Sequence, residues 1–110
     1  MDLSSIAEKL NLRIVCGHQK LSVQVTGGYV GDLLSDVMAN SREGYIWITR
    51  QTHQNIVAVA SLKELAGIIL VNGKDPEEDT LEKATAEGIP IFVTELSAFD
   101  IVGELYTIVS

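Results

Sequence analysis

The strongest constraint on the fold is an alternation between strand-like and helix-like segments from Tyr45 onwards. Short runs of aromatic and β-branched residues, which are typical of strands, alternate with segments that begin with residues suited to capping a helix. A strand–helix–strand order of this kind predicts parallel strands joined by right-handed crossovers. The predicted strands are residues 45–49, 67–71 and 89–93, and the predicted helices begin near Asn55, Asp75 and Ser97.

The middle strand of this series and the helix after it carry the clearest signals. Residues 67–71 form a continuous apolar run, which is typical of a strand covered on both faces in a parallel sheet. The next helix is predicted to have Asp75 as its N-cap and Pro76 at its first position, and Gly88 is a natural end for it. We therefore predict an α/β fold, in which a single domain over residues 1–110 has a mostly parallel central sheet with helices on both faces.

The beginning of the chain predicts one helix and two short strands. Apolar residues at helical spacing predict the helix at about residues 2–10. A short apolar segment predicts a strand at residues 12–15, and alternation of apolar and polar residues predicts another at residues 21–25. These two strands are candidates for an antiparallel edge of the sheet.

A pair of glycines, Gly27 and Gly28, follows the second of these strands. We interpret the pair as a turn, because an apolar stripe after it predicts an amphipathic helix over residues 30–38. Free backbone N–H groups at the start of such a helix are able to hold an anion. This strand–turn–helix segment is therefore the leading candidate for a binding element.

Polar residues stand at the ends of several predicted strands. In open α/β sheets, ligands bind beyond the carboxyl ends of the strands, and glycines allow a ligand to approach the backbone closely. The alternative is structural, since threonine ends many strands and glycines often only make turns. If the functional interpretation holds, these residues line one crevice, and the candidate ligand-binding set is Thr26, Gly27, Gly28, Thr49, His53, Asn72 and Thr94.

Composition limits the classes of partner. The net charge of −7 argues against nucleic acid or an anionic membrane as a partner, although it leaves open a local basic site for one small phosphate ligand. The acidic residues at 75–79 are either a protein-docking surface or, as the simpler interpretation, a solvated helix start. The single cysteine, Cys16, and the absence of a secretory signal after Met1 predict a cytoplasmic location.

No set of residues predicts catalysis, a metal site or a cofactor. The chain has neither the P-loop pattern nor the dinucleotide-binding fingerprint. Cys16 and His18 are too few ligands for zinc, and as nucleophile and base they lack a third orienting group, so a buried and inert cysteine is the simpler interpretation. His53 is a candidate general base or, more simply, a hydrogen-bonded loop residue. Asp32 and Asp36 lie four residues apart in the predicted helix, where solvated carboxylates explain them better than a metal site.

Several blocks of the sequence resemble one known family. The segment Val25-Thr26-Gly27-Gly28, followed by Val30-Gly31-Asp32-Leu33-Leu34, resembles the DRTGG domain. Residues 51–60 and 66–71 also resemble that family, in the same order and spacing. The resemblance covers nearly the whole chain. The Asp-Arg pair of the family name is replaced by Gln24-Val25, so any contact that the arginine makes with an anionic ligand in relatives is missing here.

The resemblance implies a regulatory, dimer-forming α/β module. The DRTGG domain is similar in fold to the N-terminal domain of HPr kinase/phosphorylase, and it occurs as an accessory module in some phosphotransacetylases and inorganic pyrophosphatases. Kinase activity is not implied, because the phosphate-binding loop of that kinase lies in a separate domain.

Three functional hypotheses follow. The leading one is a non-catalytic regulatory or interaction module that works as a homodimer and senses a small ligand, with adenine nucleotides as the first candidates by analogy. Large side chains in residues 30–38 and at Tyr45 and Trp47 are candidates for the self-association surface. The alternatives are a small enzyme that uses His53 or Cys16, and a structural adaptor that docks on a larger metabolic enzyme.

Overall fold

The computed structural model describes residues 1–109, in which helices surround one five-stranded sheet. A single 3-10 turn at His18–Lys20 follows the first strand. The remaining elements, in chain order, are α1 (Leu3–Lys9), β1 (Arg13–Cys16), β2 (Gly27–Val30), α2 (Leu34–Asn40), β3 (Tyr45–Thr49), α3 (Asn55–Leu62), β4 (Gly67–Leu70), α4 (Glu78–Glu87), β5 (Ile91–Val93) and α5 (Ala98–Val109).

The sheet has the strand order β1-β5-β4-β3-β2. Strands β2, β3, β4 and β5 are mutually parallel, whereas β1 pairs with β5 in the antiparallel direction. The predicted α/β fold, with a mostly parallel sheet and an antiparallel edge strand, is therefore confirmed. All four residues of β4 are buried, as expected for a strand that is covered on both faces.

Helices cover both faces of the sheet because side chains alternate along each strand. Ile46 and Ile48 of β3 pack in a core with residues of α1 and α5, such as Ile6 and Ile101. Trp47, which lies between the two isoleucines, packs in a second core with residues of α2, α3 and α4. Each core consists mainly of fully buried aliphatic side chains, so burial of apolar surface on both faces holds the layers together.

The interpretation of the two glycines as a turn is wrong. Gly27 and Gly28 lie inside β2, where they pair with Tyr45 and Ile46 of β3 in parallel register. Neither glycine has a positive φ, so neither is required for backbone conformation. Close packing explains Gly27 instead, since a Cβ atom there would lie 2.6 Å from Cε1 of Tyr45. The residues before the glycines have a strand-like pattern, and those after them have a helix-like one. It is nevertheless the glycines that pair with β3 and form the strand.

The neighbouring boundaries shift with this strand. Residues 21–25 do not form the predicted strand, and only Gln24 makes an isolated antiparallel bridge, with Asp2. Helix α2 begins at Leu34 rather than at Val30. As a result, the backbone N–H groups at the start of α2 do not adjoin the glycines, and the predicted glycine-turn anion site is absent from the part of the chain that the structure describes.

The start of α4 also differs from the prediction. The helix begins at Glu78, and Asp75 forms an ion pair with Arg13 instead of capping it. Contacts with the loop before α3 explain the later start, because the carbonyl oxygen of Thr52 accepts hydrogen bonds from the Glu77 amide at 3.1 Å and the Thr80 hydroxyl at 2.7 Å. A tertiary contact has replaced the local cap.

Other predicted boundaries are close to those observed. Gly88 ends α4 in the left-handed conformation, with a φ of 71°. The Ser97 hydroxyl accepts a hydrogen bond from the Asp100 amide at the start of α5. Helix α3 begins at Asn55 but follows Gln54 as its N-cap, so Asn55 is not the cap that its residue type suggested.

Among residues 1–109, every helix is too short or too polar to traverse a lipid bilayer.

Candidate functional site

A polar crevice lies beyond the carboxyl ends of β3 and β4. It has a volume of about 480 Å³ and is open to solvent. The loops that follow β2, β3 and β4 supply its walls, which is the position where open α/β sheets bind ligands. We call it the cationic crevice, and its lining residues are Asp32, Arg50, Gln51, Thr52, Asn72 and Lys74.

Asp32 anchors one wall of the cationic crevice. Its Oδ1 atom accepts hydrogen bonds from the Thr49 hydroxyl at 2.9 Å and from the Arg50 amide at 2.8 Å. Its Oδ2 atom accepts a hydrogen bond of 2.7 Å from Nε of Arg50. Partial burial acts to raise the pKa of Asp32, but these hydrogen bonds and the positive charge of Arg50 outweigh it, so the pKa lies below its usual value. The carboxylate is therefore charged at neutral pH and holds the end of β3 to the loop before α2.

Two cationic side chains line the cationic crevice. Arg50 is held by Asp32, yet 70% of its side chain is exposed. Lys74 follows a turn in which Asn72 and Gly73 both have positive φ values, of 59° and 68°. Within the described residues, Lys74 has no carboxylate partner within ion-pair distance. With Asp32 as the one carboxylate, the lining carries a formal charge of +1 in a chain whose net charge is −7.

The structure brings only some of the predicted site residues to this crevice. Asn72 lines it directly. Thr49 is buried beneath it, where its hydroxyl donates to Asp32 and accepts from the Gln51 amide. Thr94 is buried as well, and its hydroxyl accepts a hydrogen bond from the Leu96 amide. Thr49 and Thr94 therefore shape the loops after their strands, and ligand binding by any of the predicted residues stays a prediction.

His53 is exposed and does not line the cationic crevice. Its Nδ1 atom accepts a hydrogen bond of 3.2 Å from the Asn55 amide at the start of α3. The simpler interpretation of this histidine, as a hydrogen-bonded loop residue, agrees with that geometry.

The remaining predicted residues lie at the opposite end of the sheet. Gly27 pairs with Tyr45, the first residue of β3, whereas Thr49 is the last residue of that strand. Thr26 precedes Gly27, and its hydroxyl donates to the Glu43 carbonyl. The expectation that one crevice contains all seven residues is therefore wrong, because parallel strands place their first and last residues at opposite ends.

Thr26, Gly27 and Gly28 instead line an apolar groove of about 280 Å³ between β2 and α5. The groove is walled mainly by aliphatic side chains and by Tyr106. Its other lining residues are Tyr29, Val30, Ile48, Val102, Leu105, Tyr106 and Val109.

The residues suggested for catalysis do not come together. Cys16 is buried, and its thiol donates to the Ile89 carbonyl. Burial raises the pKa of this thiol, which disfavours the reactive thiolate. His18 lies exposed in the turn after β1, and His53 is exposed on a different loop. Residues 1–109 also contain no group of three or more His, Cys, Asp or Glu side chains able to hold a metal ion. Cys16 and His18 therefore do not have the arrangement of a nucleophile with its base.

Two aspartates that appeared equivalent in the sequence have different roles. Asp32 precedes α2, whereas Asp36 lies within the helix and accepts a hydrogen bond of 2.6 Å from the Tyr29 hydroxyl. The expectation that both project from one helix face is wrong, because the helix begins later than predicted.

Arg50 and Lys74 line the crevice although neither was among the residues predicted for the site. Their positions in the sequence could have indicated them, because each lies close to a predicted site residue. Arg50 directly follows Thr49, and Lys74 follows Asn72 after one glycine.

Comparison with known proteins identifies a family and solved structures that this chain resembles. A family model described as "DRTGG domain" matches residues 5–108. Among solved structures, the chain is similar to the CBS and DRTGG domains of the regulatory region of Clostridium perfringens pyrophosphatase, in complex with the activator diadenosine tetraphosphate. The TM-score is 0.75 at 17% sequence identity, and the match covers 93% of this chain and 44% of that one. This chain thus spans less than half of the matched one, and the likeness shows a shared fold. No curated protein matches the sequence.

Proposed function

This chain belongs to the DRTGG domain family, whose model matches residues 5–108, and we propose that it is a non-catalytic regulatory module that binds a small nucleotide. The similar pyrophosphatase fragment is a regulatory region in complex with a nucleotide activator, diadenosine tetraphosphate. A nucleotide is therefore the first ligand class to test for this chain. The assignment comes from the family and from this similar structure, and so it needs support from the chain's own geometry.

The single observation that supports the proposal most is the cationic crevice itself. It lies where ligands bind in open α/β sheets, and it has a positive lining in an otherwise acidic chain. Its polar groups come from three separate loops, so a ligand bound there would join the ends of β2, β3 and β4. Such a ligand would stabilise the loops relative to one another, which is a physical basis for regulation.

Ligand-induced stabilisation is the direct test. We would measure the thermal unfolding of the protein with ATP, ADP, AMP and diadenosine tetraphosphate, and with adenosine as the control that lacks phosphate. A nucleotide present at 100 times its dissociation constant adds about 2.7 kcal/mol to the free energy of unfolding. A rise in the melting temperature with at least one nucleotide supports the proposal. The absence of any shift at millimolar concentrations contradicts it.

The non-catalytic part of the proposal rests on the buried position of the Cys16 thiol and on the exposed position of His53, outside the cationic crevice. We expect ATP to remain intact during long incubation with the purified protein, as followed by ion-exchange chromatography. Release of ADP or AMP in proportion to protein concentration would contradict a purely regulatory role. The cytoplasmic location predicted from the sequence remains a prediction.

We also propose that the module is a homodimer. Strand β2 is an edge strand that pairs on one side with β3, and edge strands offer unpaired backbone groups to another chain. Val30 and Leu33, at the end of this strand and just after it, are 48% and 68% exposed. Trp47, a sequence candidate for the same role, is fully buried and belongs to the core. A two-fold pairing of β2 with its copy would cover the exposed edge.

Size-exclusion chromatography with light scattering tests the dimer. We expect a dimer at high micromolar concentration, and we expect Val30→Asp to shift it toward the monomer. Leu62→Asp is the matched control, because Leu62 is 72% exposed but lies on α3, away from β2. A monomeric wild-type protein would contradict the dimer. If the protein dimerises but no nucleotide binds, the adaptor hypothesis becomes the better explanation.

A further inference from the structure

We propose that Arg50 and Lys74 bind a phosphate group of a small phosphorylated ligand in the cationic crevice. This inference rests on the proposed function, since it concerns the same crevice, and it adds the chemical group that the crevice recognises and the side chains that recognise it. Neither side chain was among the residues that the sequence suggested.

The guanidinium of Arg50 is oriented before any ligand arrives. Asp32 accepts hydrogen bonds from both the backbone amide and Nε of Arg50, so the side chain is fixed at its base. Within the described residues, Nε is the only guanidinium nitrogen of Arg50 that donates to the protein. The two terminal nitrogens remain for a ligand, and their planar arrangement matches the spacing of phosphate oxygens. An oriented guanidinium loses less conformational entropy on binding than a free one.

Lys74 supplies the second cation from the loop that follows β4, the strand next to β3. The turn that carries it is held by hydrogen bonds from the Asn72 amide to the Leu96 carbonyl and from the Gly73 amide to the Thr94 carbonyl. Because β3 and β4 are adjacent, the loops that follow them bring Arg50 and Lys74 into the lining of one crevice, where both cations are able to approach one phosphate. The ammonium has no carboxylate partner within the described residues, so binding an anion breaks no existing ion pair of Lys74.

The charge distribution favours a phosphate over a less charged group. The protein has a net charge of −7, so it repels anions in general, and attraction must come from a local cluster of cations. Two of its eight Lys and Arg residues line this one crevice. Two acidic side chains also lie near the crevice: Glu77 accepts a hydrogen bond from Thr52, and the Glu95 carboxylate lies beside Gly73. Their repulsion of an anion makes binding depend on the two cations. A multiply charged phosphate gains more from two cations than a single carboxylate does, and we expect its binding to weaken as salt is added.

Calorimetric titration with inorganic tripolyphosphate and with ATP tests the assignment, in a metal-free buffer of low ionic strength. The variants are Arg50→Gln and Lys74→Gln, which remove each positive charge from an exposed side chain. Lys9→Gln is the matched control, because Lys9 is an exposed lysine in α1 and does not line the cationic crevice. We expect each crevice variant to bind tripolyphosphate at least tenfold more weakly and the control to bind within twofold of the wild type.

Lys74→Arg distinguishes loss of charge from loss of folding. It keeps the positive charge at the same position, so we expect it to retain most of the affinity that Lys74→Gln loses. Circular dichroism of every variant checks that the secondary structure is unchanged.

The two probes separate this inference from the proposed function. If ATP binds the wild type and both crevice variants equally, the phosphate assignment is wrong and the nucleotide-binding module stands. If tripolyphosphate binds to the wild type and its binding is lost in the variants, while no adenine nucleotide binds, the phosphate site stands and the nucleotide proposal fails. Absence of binding by either probe to the wild type overturns both.

Discussion

The indole Nε1 of Trp47 donates a hydrogen bond of 2.9 Å to the carbonyl oxygen of Gly31. Trp47 is fully buried in β3, whereas Gly31 lies just after the edge strand β2. The amide of Gly31 also donates to the Ile48 carbonyl. Because Asp32 comes next in the chain, these bonds hold the residue that orients Arg50. The core of the protein is thus connected directly to a wall of the cationic crevice.

We expect Trp47→Phe to lower the free energy of unfolding by about 2 to 3 kcal/mol, because it leaves a cavity and an unpaired carbonyl at Gly31. Urea denaturation followed by circular dichroism measures the change, since Trp47 is the only tryptophan and its fluorescence is lost in the variant. The control Leu62→Ala removes an exposed side chain and should change stability by less than about 0.5 kcal/mol. Equal effects of the two substitutions would contradict the role given to Trp47.

The two glycines of β2 should respond differently to alanine. A Cβ at Gly27 would lie 2.6 Å from the Tyr45 ring, so we expect Gly27→Ala to destabilise the protein by about 1 to 3 kcal/mol. A Cβ at Gly28 would lie 3.5 Å from its nearest neighbour, the Ile46 carbonyl oxygen, which is an ordinary contact. Gly28→Ala should therefore change stability by less than about 0.5 kcal/mol. Chemical denaturation of the pair tests this, and a similar loss at both positions would indicate that β2 is not packed as described.

Asp32 should make the stability depend on pH in the acidic range. Its pKa is lowered in the folded protein, so the unfolded chain binds more protons as the pH falls. The stabilisation is fully present above the unfolded pKa of about 3.9 and is lost as the pH falls through the lower folded value. We expect the difference in stability between wild type and Asp32→Asn to be constant near neutral pH and to shrink below about pH 4.

Urea denaturation at a series of pH values measures this difference in stability. The control Glu104→Gln removes one negative charge from an exposed residue of α5. A difference for Asp32→Asn that grew as the pH fell would have the opposite sign to the one expected.

Cys16 should react slowly with thiol reagents in the folded protein. Its thiol is buried and its pKa is raised by burial, so both access and the thiolate fraction are low. We expect the rate of labelling by Ellman's reagent to be at least tenfold lower in native buffer than in concentrated urea. Rapid labelling of the native protein would revive the hypothesis of a reactive cysteine.

Local patterns in the sequence determined the main layers of the fold. The apolar run at residues 67–71 requires a strand with cover on both faces, and β4 is wholly buried. Gly88 marks the observed end of α4, and Ser97 marks the observed start of α5. Both signals act within a few residues, one as a left-handed glycine and the other as a capping hydroxyl. Such signals need no distant partner, which is why the alternation after Tyr45 was sufficient to predict an α/β fold.

Tertiary structure decided the position of the edge strand and the composition of the site. Gly27 and Gly28 have neither side chains nor a hydrophobic pattern, so only hydrogen bonding to β3 reveals that they form a strand. This register sends Thr26 to one end of the sheet and Thr49 to the other. The pairing of Asp32 with Arg50 spans 18 positions and depends on the same register. Short-range patterning thus determines which segments become helices and strands, whereas the choice of strand partner, made by long-range hydrogen bonds and packing, determines which polar side chains meet.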